Sequence, residues 1–535
     1  MFTPLRIDQN FHNRLENKLC ALYNVQMTSK NIKTIALMMA ITLTGKAMGI
    51  LRDRMQATYF GTYSTEGIAF TQASILPLVF LDVMFASVIS ASFIPIFNKY
   101  LENEGKQAAF ALAARFIRIV LLATIVATII AVIFAGPLYA IFLDGADLAP
   151  AVRMLGVRLL RMMFPIMMIT SLAFAFTGVL QSLGQYYIPA AMSVASNSVI
   201  LLYYFFLIER FGVYGLAVAF LIGWSCQVLI QIPFLIKVGF FAKRTESAVY
   251  DLRDIGKLAL PVMVASWLGS VNFLVNARAS VNLYGGEHGV VSIRMAHNLY
   301  LVITGIVVLS VANLLFPTLS KFAARSEWQE YEDFLRSSLR SLLFLLIPMS
   351  LGLMAVARPL VALVYQGGRF QETSVEITAL ALFFYSIGIV GFGFQVILSR
   401  ACFALEDGKG PLVTALIAMA LNFILSFALA PSMEIAGPAL ASSLAVSMAA
   451  LGLFIRLRGR LTGLWTLDMT VDAVKILILA ALMYLILWWF EFGIVGAVVI
   501  GAGFYFCGAL IFRVKEARMV VEWINTIVSQ RRLRP

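Results

Sequence analysis

Charge is scarce in this chain of 535 residues: only 13% are Asp, Glu, Lys or Arg, against 61% apolar residues and a mean hydropathy of +0.89. A water-soluble domain carries roughly 25% charged and about 45–50% apolar residues. A chain this long and this poor in charge does not stay in water. That excludes a soluble enzyme, a nucleic-acid-binding domain and a disordered scaffold, and points to an integral membrane protein. Cysteine is scarce too. Cys20, Cys226, Cys402 and Cys507 form no CxxC pair and have no metal-ligand spacing, so they read as small buried hydrophobes. Histidine occurs at positions 12, 288 and 297 only. The chain has no GxxxxGK[ST] loop for ATP, no GxSxG elbow and no HExxH pair. Neither a cofactor nor a catalytic role is expected.

What is present is a succession of apolar runs, each long enough to cross a hydrocarbon core of ~30 Å. Fourteen of them recur between about residues 34 and 513, and those at 68–98 and 289–320 are long enough to require tilt or a bend. The connections are short. The fold expected is an all-α polytopic membrane protein. The first 26 residues are polar and lack the apolar stretch of a signal peptide. They read as a cytoplasmic tail, with Met27 as an alternative start.

The basic residues set the orientation. With the N-terminus inside, 27 of the 41 Lys and Arg fall in inside segments, 5 fall outside and 9 lie within spans. That asymmetry places both termini in the cytoplasm. It also accounts for the net charge of +13 by topology and attraction to anionic lipid, without nucleic acid.

Two stretches match at a constant offset. "FIPIFNKY" (93–100) resembles "LFPTLSKF" (315–322), aligning Pro95 with Pro317 and Lys99 with Lys321. The same shift of 222 aligns Leu183 with Leu405, Pro189 with Pro411 and Gly215 with Gly437. Six spans separate the matched points, so the copies run parallel. Two six-helix bundles related by a pseudo-twofold axis along the membrane normal are expected, an arrangement suited to alternating access. The corresponding division is a tail at 1–33, bundles at 34–240 and 241–460, an additional helix pair at 461–514 and a tail at 515–535.

Ionisable residues inside spans are costly and usually face a cavity. Here they gather in four spans: Lys46, Arg52 and Asp53 in the first, Asp82 in the second, Arg278 in the seventh, Arg294 and His297 in the eighth. Arg115, Arg118 and Lys475 lie near inner span ends and read as snorkelling, as Arg158 and Arg161 do towards the outside. Lys46 and Asp82 fall near mid-membrane, where snorkelling is hard. Lys46 and Asp53, seven apart, share a helix face; Arg52 points about 120° away, though Gly45 and Gly49 could bend the helix. Together these residues describe a cationic chamber suited to an anion, and guanidinium groups suit phosphate oxygens.

The run "GILRDRMQATYFG" (49–61) resembles the GxxRDxxxAxxFG signature of the lipid II flippase (MurJ, or MviN) family. "SFIPIFNKY" (92–100), "YQGGRF" (365–370), "YSIGIVG" (385–391) and "CFALEDGKGP" (402–411) are similar to further blocks of that family, in the same order. The resemblance implies a fold of the multidrug/oligosaccharidyl-lipid/polysaccharide exporter type. It implies a flippase that moves undecaprenyl-pyrophosphate-linked peptidoglycan precursor across a bacterial cytoplasmic membrane, with cell-wall synthesis machinery as a partner. It further implies that Arg52 is the signature arginine that meets the pyrophosphate, that Lys46 stands where an arginine is usual, and that Glu66 is the acidic residue following the first span. The chain departs from the pattern where the family arginine pair of the second span falls on Leu81 and Asp82, and the arginine of the eighth on Asn298. Arg278 and Arg294 are candidates to compensate. Another lipid-linked glycan, or a drug/cation antiport activity in the same superfamily, is the alternative. An enzyme would need a large outer loop bearing His, Asp or Glu, and a scaffold would need no charged interior.

Overall fold

In hydrocarbon each backbone N–H and C=O must find its partner within the protein, which limits so apolar a chain to helices or a closed barrel. The computed structural model describes residues 29–80, 93–145, 148–242, 270–281, 283, 289–461, 463–490 and 492–522. Among these there is no strand; one isolated antiparallel bridge joins Gly367 and Phe370. Asp82 lies outside the described residues, as does Leu81.

The first half contains α1 (Ser29–Phe60), α2 (Thr65–Ser74, continued as a π-helical stretch to Phe80), α3 (Ile94–Asn103), α4 (Lys106–Ile133), α5 (Ala135–Phe142), α6 (Pro150–Met163), α7 (Ile166–Ser182), α8 (Tyr187–Phe206), α9 (Ile208–Leu229) and α10 (Ile232–Lys237). A helical segment at 270–280, α11, opens the described part of the second half. It is followed by α12 (Gly289–Ala324), α13 (Trp328–Ala355), α14 (Ala357–Tyr365), α15 (Glu372–Ile387), α16 (Ile389–Ala404), α17 (Lys409–Met433) and α18 (Ala436–Arg458). The additional pair is α19 (Leu467–Phe490) and α20 (Ile494–Ile511).

Ten helical stretches among the described residues are long and apolar enough to cross a membrane, and the α15–α16 pair, bent by 45°, is so only when taken together. α1, with four charged residues between Lys46 and Arg54, is not among them. The runs expected at 68–98 and 256–283 extend into residues outside the described set.

The repeat is legible in the backbone. α4 and α13 each have 28 residues, and their first residues, Lys106 and Trp328, are 222 apart. The same interval separates the starts of α5 and α14, of α6 and α15, and of α8 and α17. The turns match as well. Leu183 has φ −90° and ψ 11°, and Leu405 has −91° and 12°. The Gln185 amide donates to Leu180 O at 2.8 Å, as that of Asp407 does to Cys402 O at 2.9 Å. Left-handed backbone recurs at Gly184 and Glu406 (φ 76° and 58°) and at Gly212 and Glu434 (φ 54° and 49°). The second copy therefore holds a glutamate where the geometry favours glycine. Asp407 is occupied in other ways: it caps the Gly410 amide at 3.1 Å and pairs with Arg456 at 2.6 Å. The Arg456 hydrogen bond holds its carboxyl below the ordinary carboxylate pKa, so this tie persists on acidification until the pH falls through that lowered value.

The additional pair is fixed to α13. Leu479 and Met483 of α19 and Tyr505 of α20 pack around Phe344, and Tyr505 OH donates to Phe344 O at 2.8 Å. At the basic end of the bundle, Arg340 pairs with Asp472 and, at 2.9 Å, with Glu516. Lys475, expected to snorkel alone, sits 3.7 Å from Asp472 because the two are one turn apart on α19.

Opposite substitutions at the equivalent left-handed positions of the two copies should differ in cost. Gly184→Ala is expected to cost about 1 kcal/mol because a Cβ is added at positive φ. Glu406→Gly, which relieves that strain while adding unfolded-state entropy, is expected to stay within about 0.5 kcal/mol of wild type. Thermal unfolding of the detergent-solubilised chain would check both; equal losses would contradict the backbone equivalence.

Candidate functional site

The two halves meet where α1 packs against α14 and α2 packs against α12. α1 is continuous, and the missing Cβ of Gly45 admits a close approach of α8. A Cβ on Gly45 would lie 3.1 Å from Ser193 of α8, and one on Gly49 would lie 3.7 Å from Asn197. The side chain of Arg52 is long enough to curl round the helix. Its Nε and Nη2 donate to Asp53 Oδ1 at 3.2 and 2.9 Å, and its Nη1 donates to Asn197 Oδ1 at 3.1 Å. The guanidinium also lies 5.7 Å from the centre of the Phe220 ring.

Asp53 faces the second half. Its Oδ2 accepts from Asn298 Nδ2 of α12 at 3.1 Å. One turn earlier on α12, Arg294 reaches the other way: its Nη1 donates to Thr71 O of α2 at 3.3 Å and to Ser74 Oγ. Gln56 Nε2 donates to Thr71 Oγ1 at 3.0 Å and completes the layer. Asp53, Gln56, Thr71, Arg294 and Asn298 line a cavity of about 10 Å³, room for roughly one water. Asp53 and Arg294 are 9% and 8% exposed. One carboxylate, paired with Arg52, thus lies in the same nearly closed layer as a second guanidinium, Arg294, which is held by neutral acceptors.

The remaining expected residues lie elsewhere. Lys46 shares a face of α1 with Asp53, about 10 Å further along the axis at 1.5 Å per residue. It is half-buried and has no ion pair or hydrogen bond among the described residues. Arg278, on α11, is half-buried and is not among the residues lining the small cavity. Glu66 is exposed in the first turn of α2, which Ser64 caps by accepting from the Gly67 amide at 3.0 Å. It is separate from the charged layer. Arg158 and Arg161 are exposed on α6.

Beyond this layer the end of α1 is sealed. Arg54 Nη1 donates to the last carbonyls of α14, Leu363 O at 2.7 Å and Val364 O at 3.2 Å. The Arg369 amide donates to Thr58 O at 2.9 Å, and the hydroxyls of Thr62 and Ser374 lie 2.7 Å apart. Two glycines permit the approach. Gly61 (φ 63°) would place a Cβ 2.5 Å from Arg369 O, and Gly368 (φ 54°) would place one in steric clash with Thr58 O. The "RDRMQATYFG" and "YQGGRF" blocks are therefore two sides of one contact between the halves. The spacing within each block carries no sign of that pairing.

A second polar cluster joins α11 to α17 and α18. Asn276 Oδ1 accepts from Asn422 Nδ2 at 3.1 Å and from Ser426 Oγ at 3.0 Å, while its Nδ2 donates to Tyr385 OH at 3.3 Å and to Ser442 Oγ. Asn276 and Asn422 carry no charge and belong to none of the motifs. Their spacing of 146 residues gives no signal, and only the packing of three helices brings them together. No cluster of three or more His, Cys, Asp or Glu suited to a metal occurs among the described residues.

The profile of the lipid II flippase MurJ family matches residues 56–502. The chain belongs to that family. Among its relatives, the probable lipid II flippase MurJ of Treponema pallidum (strain Nichols) is 27% identical over 413 residues, 75% of this chain and 77% of that protein. The probable MurJ of Rhizobium meliloti (strain 1021) is 26% identical over 482 residues, covering 86% and 88%. The lipid II flippase MurJ of Burkholderia cenocepacia is 27% identical over 428 residues, covering 78% and 82%. A MurJ structure in an inward closed conformation matches with a TM-score of 0.76 at 21% identity, over 89% of this chain and 98% of that one. An inward-facing multidrug-resistance MATE transporter of the MOP superfamily matches with a TM-score of 0.66 at 15% identity, over 80% and 98%. The fold is that of MurJ and MATE transporters, and the chain is a polytopic membrane protein of a transporter family, not a catalytic one.

Removing the shared carboxylate should be costly. Asp53→Ala leaves Arg52 without its ion pair and Asn298 without its acceptor, with an expected loss of about 3 kcal/mol. The double variant Arg52→Gln/Asp53→Ala should recover part of it. A double-mutant cycle on thermal unfolding would check the coupling; strict additivity would show that the pair does not interact.

Proposed function

We propose that this chain moves lipid II from the inner to the outer leaflet of a bacterial cytoplasmic membrane by alternating access between its two halves. The observation that carries this reading is the charged layer: in a member of the MurJ family, Asp53 pairs with Arg52 and accepts from Asn298 of the other half, while Arg294 of that half is buried beside them on Thr71 and Ser74. The division at about 240 and 460 is the corresponding pair of moving units, with α19 and α20 following the second. Both termini are cytoplasmic on this reading, because Lys and Arg are far fewer in the segments on the side of the sealed end, 5 against 27, so that end faces outwards.

A pyrophosphate drawn in by Lys46 competes with Asp53 for Arg52, since a guanidinium binds phosphate oxygens in bidentate fashion. Once Asp53 is displaced from Arg52, its hold on Asn298 is the remaining tie of that carboxylate to α12. Opening the sealed end then requires release of Arg54, Thr62 and the Arg369 amide from their partners. Inside-negative potential favours outward movement of an anion by about 2.3 kcal/mol per charge per 100 mV. Arg278 joins the path only when the halves separate.

The position of Asn298 favours a second reading, in which the head group is another undecaprenyl-pyrophosphate-linked glycan. Asn298 adds no positive charge to the layer and instead stabilises Asp53.

The test is replacement of a bacterial host's own lipid II flippase by this chain, with lipid II accessibility followed on the outer leaflet. Wild type is expected to restore accessibility, and Lys46→Ala and Arg52→Ala to lower it at least tenfold at equal membrane abundance. A well-expressed wild type that restores nothing would refute lipid II as substrate and favour the second glycan.

A further inference from the structure

A cleft of about 410 Å³ opens at the sealed end, separate from the charged layer. Tyr59 and Phe60 of α1, Glu66 of α2, and Glu209 and Tyr214 of α9 line it on the side of the first half; Arg369 enters from the second. Its shape depends on the Gly212 break in α9, which Tyr203 OH fixes by donating to Gly212 O at 2.6 Å. Arg369 is held by its backbone, through the amide bond to Thr58, so its guanidinium is left free. Glu66, Glu209 and Arg369 are all exposed, and none has an ion pair within 4.0 Å among the described residues.

Two unpaired carboxylates and one unpaired guanidinium in one cleft complement a ligand with an anionic group and a cationic group. The guanidinium selects a phosphate, and carboxylates beside tyrosine faces select an ammonium. Two carboxylates also disfavour a purely anionic ligand. The rim adds a second constraint. Phe205, Phe206 and Phe211 are 56%, 76% and 52% exposed beside the cleft, the kind of aromatic band that sits at the level of lipid head groups.

We propose that this cleft binds the head group of a zwitterionic phospholipid, with its phosphate on Arg369, its ammonium between Glu66 and Glu209, and its acyl chains along Phe205, Phe206 and Phe211. The bound head group bridges the two halves and holds the end of α1 closed. That last consequence rests on the alternating-access reading; the binding does not.

The first experiment measures binding of dihexanoyl-phosphatidylethanolamine, dihexanoyl-phosphatidylglycerol and free phosphoethanolamine to the full chain in neutral detergent. The ethanolamine lipid is expected to bind at least tenfold more tightly than either of the others. Arg369→Gln and Glu66→Gln/Glu209→Gln are each expected to weaken it tenfold or more. Glu209→Gln alone, outside the seal, serves as the folding-neutral variant and should weaken binding severalfold with an unchanged melting temperature. Equal binding of the glycerol lipid, or variants that bind like wild type, would overturn the site. Free phosphoethanolamine binding as tightly as the lipid would overturn a lipid ligand in favour of a soluble one.

The second experiment reads the seal. Thr62→Cys/Ser374→Cys, with the four native cysteines replaced by alanine, should form its disulfide severalfold faster in vesicles containing phosphatidylethanolamine than in phosphatidylglycerol alone. The difference should vanish with Arg369→Gln; its absence in wild type would overturn the bridging role. Lipid binding without lipid II flipping would refute the transport reading and leave the cleft intact, and flipping in a chain that binds no ethanolamine lipid would do the reverse.

Discussion

An arginine inside a membrane protein has to find its counter-charge before the helix can stay there. An uncompensated one costs about 3 kcal/mol at a helix centre even on the more lenient scales. Arg52 meets that requirement with a carboxylate, and Arg294 meets it with neutral acceptors. Arg52 pairs directly with Asp53, and Arg294 is solvated by Thr71 O and Ser74 Oγ of the opposite half. The remaining polar groups of the contact arrange themselves around this shortage. Asn298 turns its amide to the free oxygen of Asp53, and Asn197 offers its carbonyl to the third nitrogen of Arg52. A layer with one negative and two positive groups is closed but not neutral, which is the condition in which an incoming polyanion gains most.

The seal above that layer depends mainly on backbone. Arg54 donates to two carbonyls, the Arg369 amide donates to a third, and Gly61 and Gly368 admit the approach by lacking a Cβ. Such a contact has little side-chain area to separate and few ion pairs to break. It closes firmly when the halves are in register and releases when they tilt. The charged layer, by contrast, uses side chains that can change partners without moving the helices. Ligand exchange and gate opening are thus assigned to different kinds of bond, one soft and one geometric.

Much of this was legible in the sequence, for identifiable reasons. Helical period placed Lys46 and Asp53 on one face, and the offset of 222 anticipated equivalent turns whose dihedral angles agree to within a few degrees at Leu183 and Leu405. The same period put Arg52 on the wrong side, because a helical wheel tracks Cβ directions and not the reach of a six-atom side chain. Gly45 and Gly49 suggested a bend and instead proved to be contact points for α8. Arg294 was expected as a cavity cation, and its tie to α2 depends on the packing of two halves that no local pattern describes. The Asn276 cluster was missed for the same reason.

The two copies share a backbone but not an electrostatic character, and this asymmetry bears on mechanism. The first copy and α12 hold the charges, Lys46, Arg52, Asp53 and Arg294. The equivalent depth of the second is joined by neutral amides and hydroxyls, in which Asn276 serves four partners at once. A neutral network loses little when its surroundings change polarity, and it keeps α11, α17 and α18 together as a rigid unit. A charged layer responds strongly to a new anion. If both copies were charged, the substrate would be held equally by both halves and would resist release. On the proposed reading, the charges sit at the contact on α1 and α12, and separating the halves withdraws Arg294 and Asn298 of α12 from the layer that holds Arg52 and Asp53, so the anion would lose part of its cradle through the movement that exposes it.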